Sequence, residues 1–182
     1  MNIEKTDFRN LIVIKNSLFT DDRGSFQESY SEARFRVGTG LNVSFVQDNE
    51  SVSKINVLRG LHLQIPPKGQ SKLVRVSRGR AIDVVVDLRK SEPTFGRHFK
   101  IELSAENGQQ LFIPEGFAHG FITLEDHTIF SYKCSNYYSK EHERSIRWND
   151  PALNIDWGCL DPLVSERDAD ALLLNEFESP FF

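Results

Sequence analysis

Short apolar runs of strand length fill most of the middle of the chain. Leu11–Lys15 (LIVIK), Lys72–Val76 (KLVRV), Ala81–Leu88 (AIDVVVDL), Phe99–Leu103 (FKIEL), Gln110–Ile113 (QLFI), Phe121–Leu124 (FITL) and Thr128–Cys134 (TIFSYKC) are rich in β-branched and aromatic residues, and Asn42–Gln47 alternates more weakly. Turn residues separate them at Arg78-Gly79, Glu92-Pro93, Asn107-Gly108 and Pro114-Glu115-Gly116. Closely spaced strands with turns between them predict an all-β sandwich or barrel. Two short helices are expected at the periphery. One lies near Ser31–Arg36; the other begins at Ser165, where S-E-R-D has capping-box spacing before ADALLL. No repeat or linker divides residues 1–182, so a single domain is expected.

Side-chain alternation along a strand then singles out two polar residues. Lys72 shares a face with Val74 and Val76, and Tyr132 shares one with Phe130 and Cys134. If these strands are half-buried, both polar tips point to the apolar side. A buried ammonium is costly unless it is paired or functional. The plainer alternatives are a strand-end lysine whose tip reaches water and a core tyrosine with its hydroxyl bonded.

Composition narrows the function. Net charge is -4, which argues against a general nucleic-acid binder, and no apolar run is long enough to cross a membrane. The charged start MNIEKTDFRN lacks a secretory core, and Cys134 and Cys159 form neither a disulfide framework nor a zinc pattern; a reducing cytoplasm is expected. The charge is unevenly spread: Ser51–Ile82 holds seven basic residues and no acidic one. Such a segment would attract a small anionic ligand such as a phosphate. There is no Walker pattern, no G-x-G-x-x-G and no G-x-S-x-G.

Two histidines lie in unusual settings, His62 in VLRGLHLQ and His119 in IPEGFAHGF. The segment P-E-G-F-A-H matches the P-x-G-x-x-H element of the cupin superfamily, a family of double-sheet jelly rolls. Metal-binding cupins carry an H-x-H in their first element; here Gln64 takes the place of the second histidine, and no acidic residue follows before Asp83. With few ligands left and a lysine nearby, a metal-free pocket is expected, which also disfavours a cupin dioxygenase. Histidine can take a proton near neutral pH, tyrosine can deliver one, and lysine can stabilise an enolate oxygen. That combination suits proton abstraction next to a carbonyl, with no redox cofactor.

From about Ile3 to Leu174 the chain closely resembles the dTDP-4-dehydrorhamnose 3,5-epimerases, a cupin-fold family. The motifs that carry the resemblance include D-D-R-G-S-F-Q-E-S-Y (Asp21–Tyr30), F-V-Q-D-N (Phe45–Asn49), V-L-R-G-L-H-L-Q (Val57–Gln64), Q-S-K-L-V-R-V (Gln70–Val76), I-P-E-G-F-A-H-G-F (Ile113–Phe121), Y-K-C-S-N-Y-Y (Tyr132–Tyr138), W-N-D-P (Trp148–Pro151) and S-E-R-D (Ser165–Asp168). The resemblance implies an all-β, cupin-type jelly-roll double-sheet barrel with a few short peripheral helices. It implies His62 as general base, Asp168 as its dyad partner, Tyr132 as general acid and Lys72 as the enolate-stabilising residue. It implies nucleotide contacts from Arg23, Phe26, Glu28, Gln47, Asn49 and Arg59, sugar-pocket positions for His119 and Tyr138, and further binding positions for Glu143 and Arg167.

Plain structural readings stay open beside these. Asp168 also fits the fourth position of a capping box, Arg23 a turn, and Phe26 the core. Arg167 stands where the family usually has lysine, which changes the donor geometry. Arg59 and His62 lie on opposite faces of a regular strand, so a shared pocket requires a bulge between them.

The implied reaction is epimerisation at C3 and C5 of dTDP-4-dehydro-6-deoxy-D-glucose, without a cofactor, to give dTDP-4-dehydro-β-L-rhamnose. The implied assembly is a homodimer whose N-terminal segments reach into the partner subunit. Two alternatives remain at this point: a 3- or 5-epimerase of a related nucleotide-linked 4-keto-deoxysugar, and a non-catalytic cupin that only binds a sugar nucleotide.

Overall fold

The run AIDVVVDL forms a strand with buried side chains on both faces, which requires a layer above it and a layer below. In the computed structural model, which describes residues 1–182, the strands in chain order are β1 (Asn2–Lys5), β2 (Ile12–Lys15), β3 (Phe19–Asp21), β4 (Gly24–Phe26), β5 (Gln47–Ser53), β6 (Leu58–Gln64), β7 (Lys72–Arg78), β8 (Arg80–Asp87), β9 (His98–Ser104), β10 (Gln109–Ile113), β11 (Phe117–Thr123), β12 (Thr128–Cys134) and β13 (Glu143–Ser145). The helices are α1 (Glu32–Thr39) and α2 (Glu166–Ala169), followed by a 3₁₀ turn at Leu174–Glu176. Antiparallel pairing builds a six-stranded sheet, β1-β2-β10-β7-β12-β5, and a five-stranded sheet, β13-β6-β11-β8-β9. Strands β3 and β4 pair only with each other.

Three apolar clusters hold these layers together. Between the sheets lie 13 buried residues, among them Val74, Val76, Val85, Leu111, Phe121 and Phe130. Outside the five-stranded sheet, Leu58, Leu61, Leu63, Val84 and Val86 are covered by the C-terminal segment through Trp157 and Phe181. Outside the six-stranded sheet, Ile12, Ile14, Leu73 and Phe112 pack on Phe35 of α1. Burying a phenylalanine such as Phe35 stabilises by roughly 1.5–3 kcal/mol. The helix is short because its ends are marked. Ser31 accepts a hydrogen bond from the Arg34 N–H, and Gly40 closes the last turn in the left-handed region at φ 72°. No helix is long and apolar enough to cross a membrane.

Several boundaries differ from the sequence reading, each for a physical reason. Residues 42–46 form no strand; Leu41, Val43 and Phe45 pack against the Phe35 cluster as irregular chain. The neighbouring strand is Gln47–Ser53 (QDNESVS), a polar edge strand that apolar periodicity does not reveal. Strand β11 begins at Phe117 rather than Phe121. The C-terminal helix stops at Ala169, because Leu172 pairs as an isolated parallel bridge with Ile146.

The bulge that Arg59 and His62 require is present. His62 pairs with His119, and Arg59 pairs with Phe121, so three steps along β6 match two along β11. Gly60 occupies the extra position at φ 134°, and a Cβ there would collide with the backbone of Gly120. Substituting Gly60→Ala is therefore expected to cost at least about 2–3 kcal/mol, from backbone strain together with the collision. Urea denaturation checks this, and a wild-type midpoint would contradict it.

Candidate active site

Inner-face side chains from both sheets meet in one open cavity of about 860 Å³, lined by Asn49, Arg59, His62, Lys72, His119, Tyr132, Glu143, Arg167 and Asp168, among others. The six-stranded sheet supplies Asn49 from β5, Lys72 from β7 and Tyr132 from β12. The five-stranded sheet supplies Arg59 and His62 from β6, His119 from β11 and Glu143 from β13. Asp168 arrives from outside both sheets. Parallel bridges Val57–Leu163 and Ile146–Leu172 tie its segment to the five-stranded side.

His62 Nε2 lies 2.6 Å from Asp168 Oδ1. The other carboxylate oxygen, Oδ2, accepts the Gly60 N–H at 3.2 Å. Asp168 thus occupies its helical position without completing a capping box. Its own N–H donates to Ser165 Oγ at 3.2 Å, while its carboxylate turns away toward the imidazole. Burial works to raise the Asp168 pKa, but the hydrogen bond and charge of His62, with the Gly60 N–H and Arg167, hold the carboxyl below its ordinary range.

Lys72 is buried and makes no ion pair; its Nζ lies 6.0 Å from the centre of the Tyr132 ring. Burial pushes its pKa down, partly opposed by Cys134, Asp83 and Glu143. Burial pushes the Tyr132 phenol up, with Cys134 adding to the shift and Arg59 opposing it. The Arg59 Nε donates to Ser53 Oγ at 3.3 Å.

At the cavity edge, Arg167 grips Glu143 with two bonds of 2.8 and 2.9 Å, using the planar fork that distinguishes arginine from lysine. Tyr138 donates its hydroxyl to Glu143 at 2.9 Å, and its backbone N–H donates to Gln47 at 3.0 Å. Gln47 in turn donates to Asn49 at 3.0 Å, so Gln47 and Tyr138 reach the cavity through its lining residues.

Three residues singled out from the sequence are not brought to this cavity by their own chain. Arg23 and Phe26 sit on the β3–β4 hairpin, with Phe26 70% exposed and Arg23 paired to Asp21. Glu28 pairs with Arg34 at 3.4 Å. Gln64, at the position of a cupin's second histidine, is a loop staple: it donates to Lys68 O at 2.6 Å and accepts from the Ser139 N–H at 2.7 Å. No cluster of three or more His, Cys, Asp and Glu side chains is arranged to hold a metal ion.

Asp83 escaped the sequence reading as a site residue. It is fully buried on β8 and lies 2.6 Å from His119 Nε2. Its parity gave the signal, because it shares the inner face with Ala81 and Val85.

A double-sheet barrel that gathers an imidazole–carboxylate pair, an ammonium and a phenol around one cavity defines a cupin-type enzyme of acid–base chemistry. Comparison with known proteins agrees. A family model described as dTDP-4-dehydrorhamnose 3,5-epimerase matches residues 5–176. A protein of that name from Shigella flexneri is 49% identical over 168 residues, covering 92% of this chain and 93% of the relative. The crystal structure of a dTDP-6-deoxy-D-glucose-3,5-epimerase from Legionella pneumophila, in complex with dTDP-4-keto-L-rhamnose, superposes with a TM-score of 0.95 at 43% identity, covering 100% of this chain and 98% of that one. A 3'-monoepimerase from Streptomyces bikiniensis, in complex with dTDP-quinovose, superposes with a TM-score of 0.90 at 32% identity, covering 96% of this chain and 88% of that one. The chain belongs to the dTDP-4-dehydrorhamnose 3,5-epimerase family and is an isomerase.

Proposed function

We propose that this protein epimerises dTDP-4-dehydro-6-deoxy-D-glucose at C3 and C5 to dTDP-4-dehydro-β-L-rhamnose. The observation that carries the reading is the convergence of the His62–Asp168 pair, Lys72 and Tyr132 on one cavity. The C4 ketone acidifies the hydrogens on both neighbouring carbons, so each inversion is a proton removed from one face and a proton returned to the other. No electrons are gained or lost overall. His62 takes the proton, and Asp168 orients its ring and stabilises the imidazolium. Lys72 faces the enolate oxygen that forms at C4, and Tyr132 delivers the returning proton from across the ring.

Arg59 anchors the diphosphate, while Asn49 and Gln47 serve the nucleotide from the edge of the six-stranded sheet. His119, Tyr138, Glu143 and Arg167 surround the sugar end. The enzyme works in the cytoplasm as a homodimer. Its exposed hairpin, with Arg23 and Phe26 and followed by Glu28, completes the nucleotide site of the partner subunit. The support for this exchange is the large exposed ring of Phe26, set away from its own chain's cavity.

Incubation with the 4-keto sugar nucleotide in D₂O tests the reaction. Deuterium at both C3 and C5, with the L-configured product, is expected. Label and inversion at one carbon would instead identify a single-site epimerase, and binding without exchange a non-catalytic cupin. Arg59→Ala is expected to weaken dTDP binding roughly 10- to 100-fold, the effect of losing a charge-assisted hydrogen bond. Isothermal titration measures it, and unchanged affinity would remove Arg59 from the anchor.

A further inference from the structure

A second imidazole–carboxylate pair backs the cavity, with His119 in its lining and Asp83 buried behind it. His119 faces His62 across β6 and β11, and its Nε2 lies 2.6 Å from Asp83 Oδ1. His119 is 6% exposed and Asp83 is fully buried. Around them the surroundings are apolar. The His119 ring centre lies 5.9 Å from that of Phe130 and 6.4 Å from that of Phe121, which are themselves stacked. Asp83 Oδ2 is buried with no hydrogen-bond partner. The inner positions on either side of Asp83 along its strand are Ala81 and Val85. A residue serving packing alone would be apolar there, because a buried carboxylate with an orphaned oxygen is unfavourable.

The bond to Asp83 is also the only one His119 makes through its ring within the chain. An oriented neutral imidazole carries one N–H, and the partner of that nitrogen decides which one. We propose that Asp83 is a positioning residue: it holds the His119 proton on Nε2 and so presents Nδ1, as a bare acceptor, to a hydroxyl of the bound hexose. Burial, reinforced by Lys72 and His62, pushes the His119 pKa down against the pull of Asp83, which keeps the ring neutral and its tautomer meaningful. The hexose would thereby be held by an acceptor on the β11 side while His62 works from β6. The inference rests on the epimerase reading for its kinetic consequence, but not for the tautomer.

Long-range proton–nitrogen NMR correlations of the labelled, substrate-free enzyme at neutral pH read the tautomer directly. The Nε2–H form of His119 is expected. An Nδ1–H form would overturn the proposal whatever the enzyme's substrate proves to be. In Asp83→Leu, which keeps bulk but removes the acceptor, the Nδ1–H form is expected to appear. There kcat should fall roughly 10- to 100-fold, the scale of loss seen when the partner that orients a metal-bound imidazole is removed. The affinity for dTDP should stay within about two-fold, which also reports that the variant is folded. A folded Asp83→Leu enzyme with wild-type kcat would overturn the proposal. Should that variant not fold, Asp83→Asn takes its place: its amide can donate to Nε2 and push the proton to Nδ1, and a folded asparagine variant with wild-type kcat would overturn the proposal.

Discussion

His62→Ala is expected to abolish solvent-deuterium incorporation at both C3 and C5, lowering turnover by roughly 10²–10⁴-fold while dTDP binding stays nearly unchanged. Two features set this expectation. The imidazole is the group in the cavity that Asp168 orients, at 2.6 Å. The second is the ketone between C3 and C5, which acidifies the hydrogen on each, so that one base within reach of both carbons can serve both inversions. Exchange persisting at either carbon in the variant would show that a second base exists. Loss of nucleotide affinity by a comparable factor would place His62 in binding rather than chemistry. His119, paired across the strands with His62 and bonded to Asp83, is the natural candidate for such a second base.

Lys72→Met is expected to lower kcat by roughly 10²–10³-fold, the loss seen when one donor to a developing oxyanion is removed. The same change removes a buried, unpaired ammonium, so the thermal midpoint should rise rather than fall. Opposite signs for activity and stability separate a functional lysine from a structural one. The pH profile gives a further check. Burial lowers the Lys72 pKa from 10.5, whereas burial raises that of Tyr132 from 10.0. As pH rises, the ammonium therefore loses its proton before an ordinary lysine would, the enolate oxygen loses its positive partner, and the rate falls. The alkaline limb of kcat belongs below 10.5, and Lys72→Arg should move it upward. A profile flat through that value, or a methionine variant within ten-fold of wild type, would sink the assignment.

The strands with apolar runs were the readable part of the sequence. β7, β8, β10 and β12 carry apolar runs that periodicity detects, and parity alone turned Lys72 and Tyr132 toward the interior, where Val74, Val76 and Phe130 lie. β5 was unreadable because its inner positions, Gln47, Asn49 and Ser51, are polar, and its apolar alternation falls just upstream against α1. Arg59 and His62 could not be placed together by alternation, since a bulge at Gly60 reverses the parity between them. Asp168 was ambiguous for a different reason: one residue accepts both descriptions, and only the direction of its carboxylate separates a cap from a dyad.

The carboxylate that orients the imidazole at position 62 is supplied 106 residues later, by a segment fastened to the barrel through the Val57–Leu163 and Ile146–Leu172 bridges. During synthesis, a ribosome would have emitted every strand of both sheets before this partner emerges. The same segment covers the outer apolar face of β6 and β8, so a nascent or prematurely ended chain would lack both that layer and the carboxylate that orients the base, and proton transfer would begin only when the last stretch of polypeptide has docked.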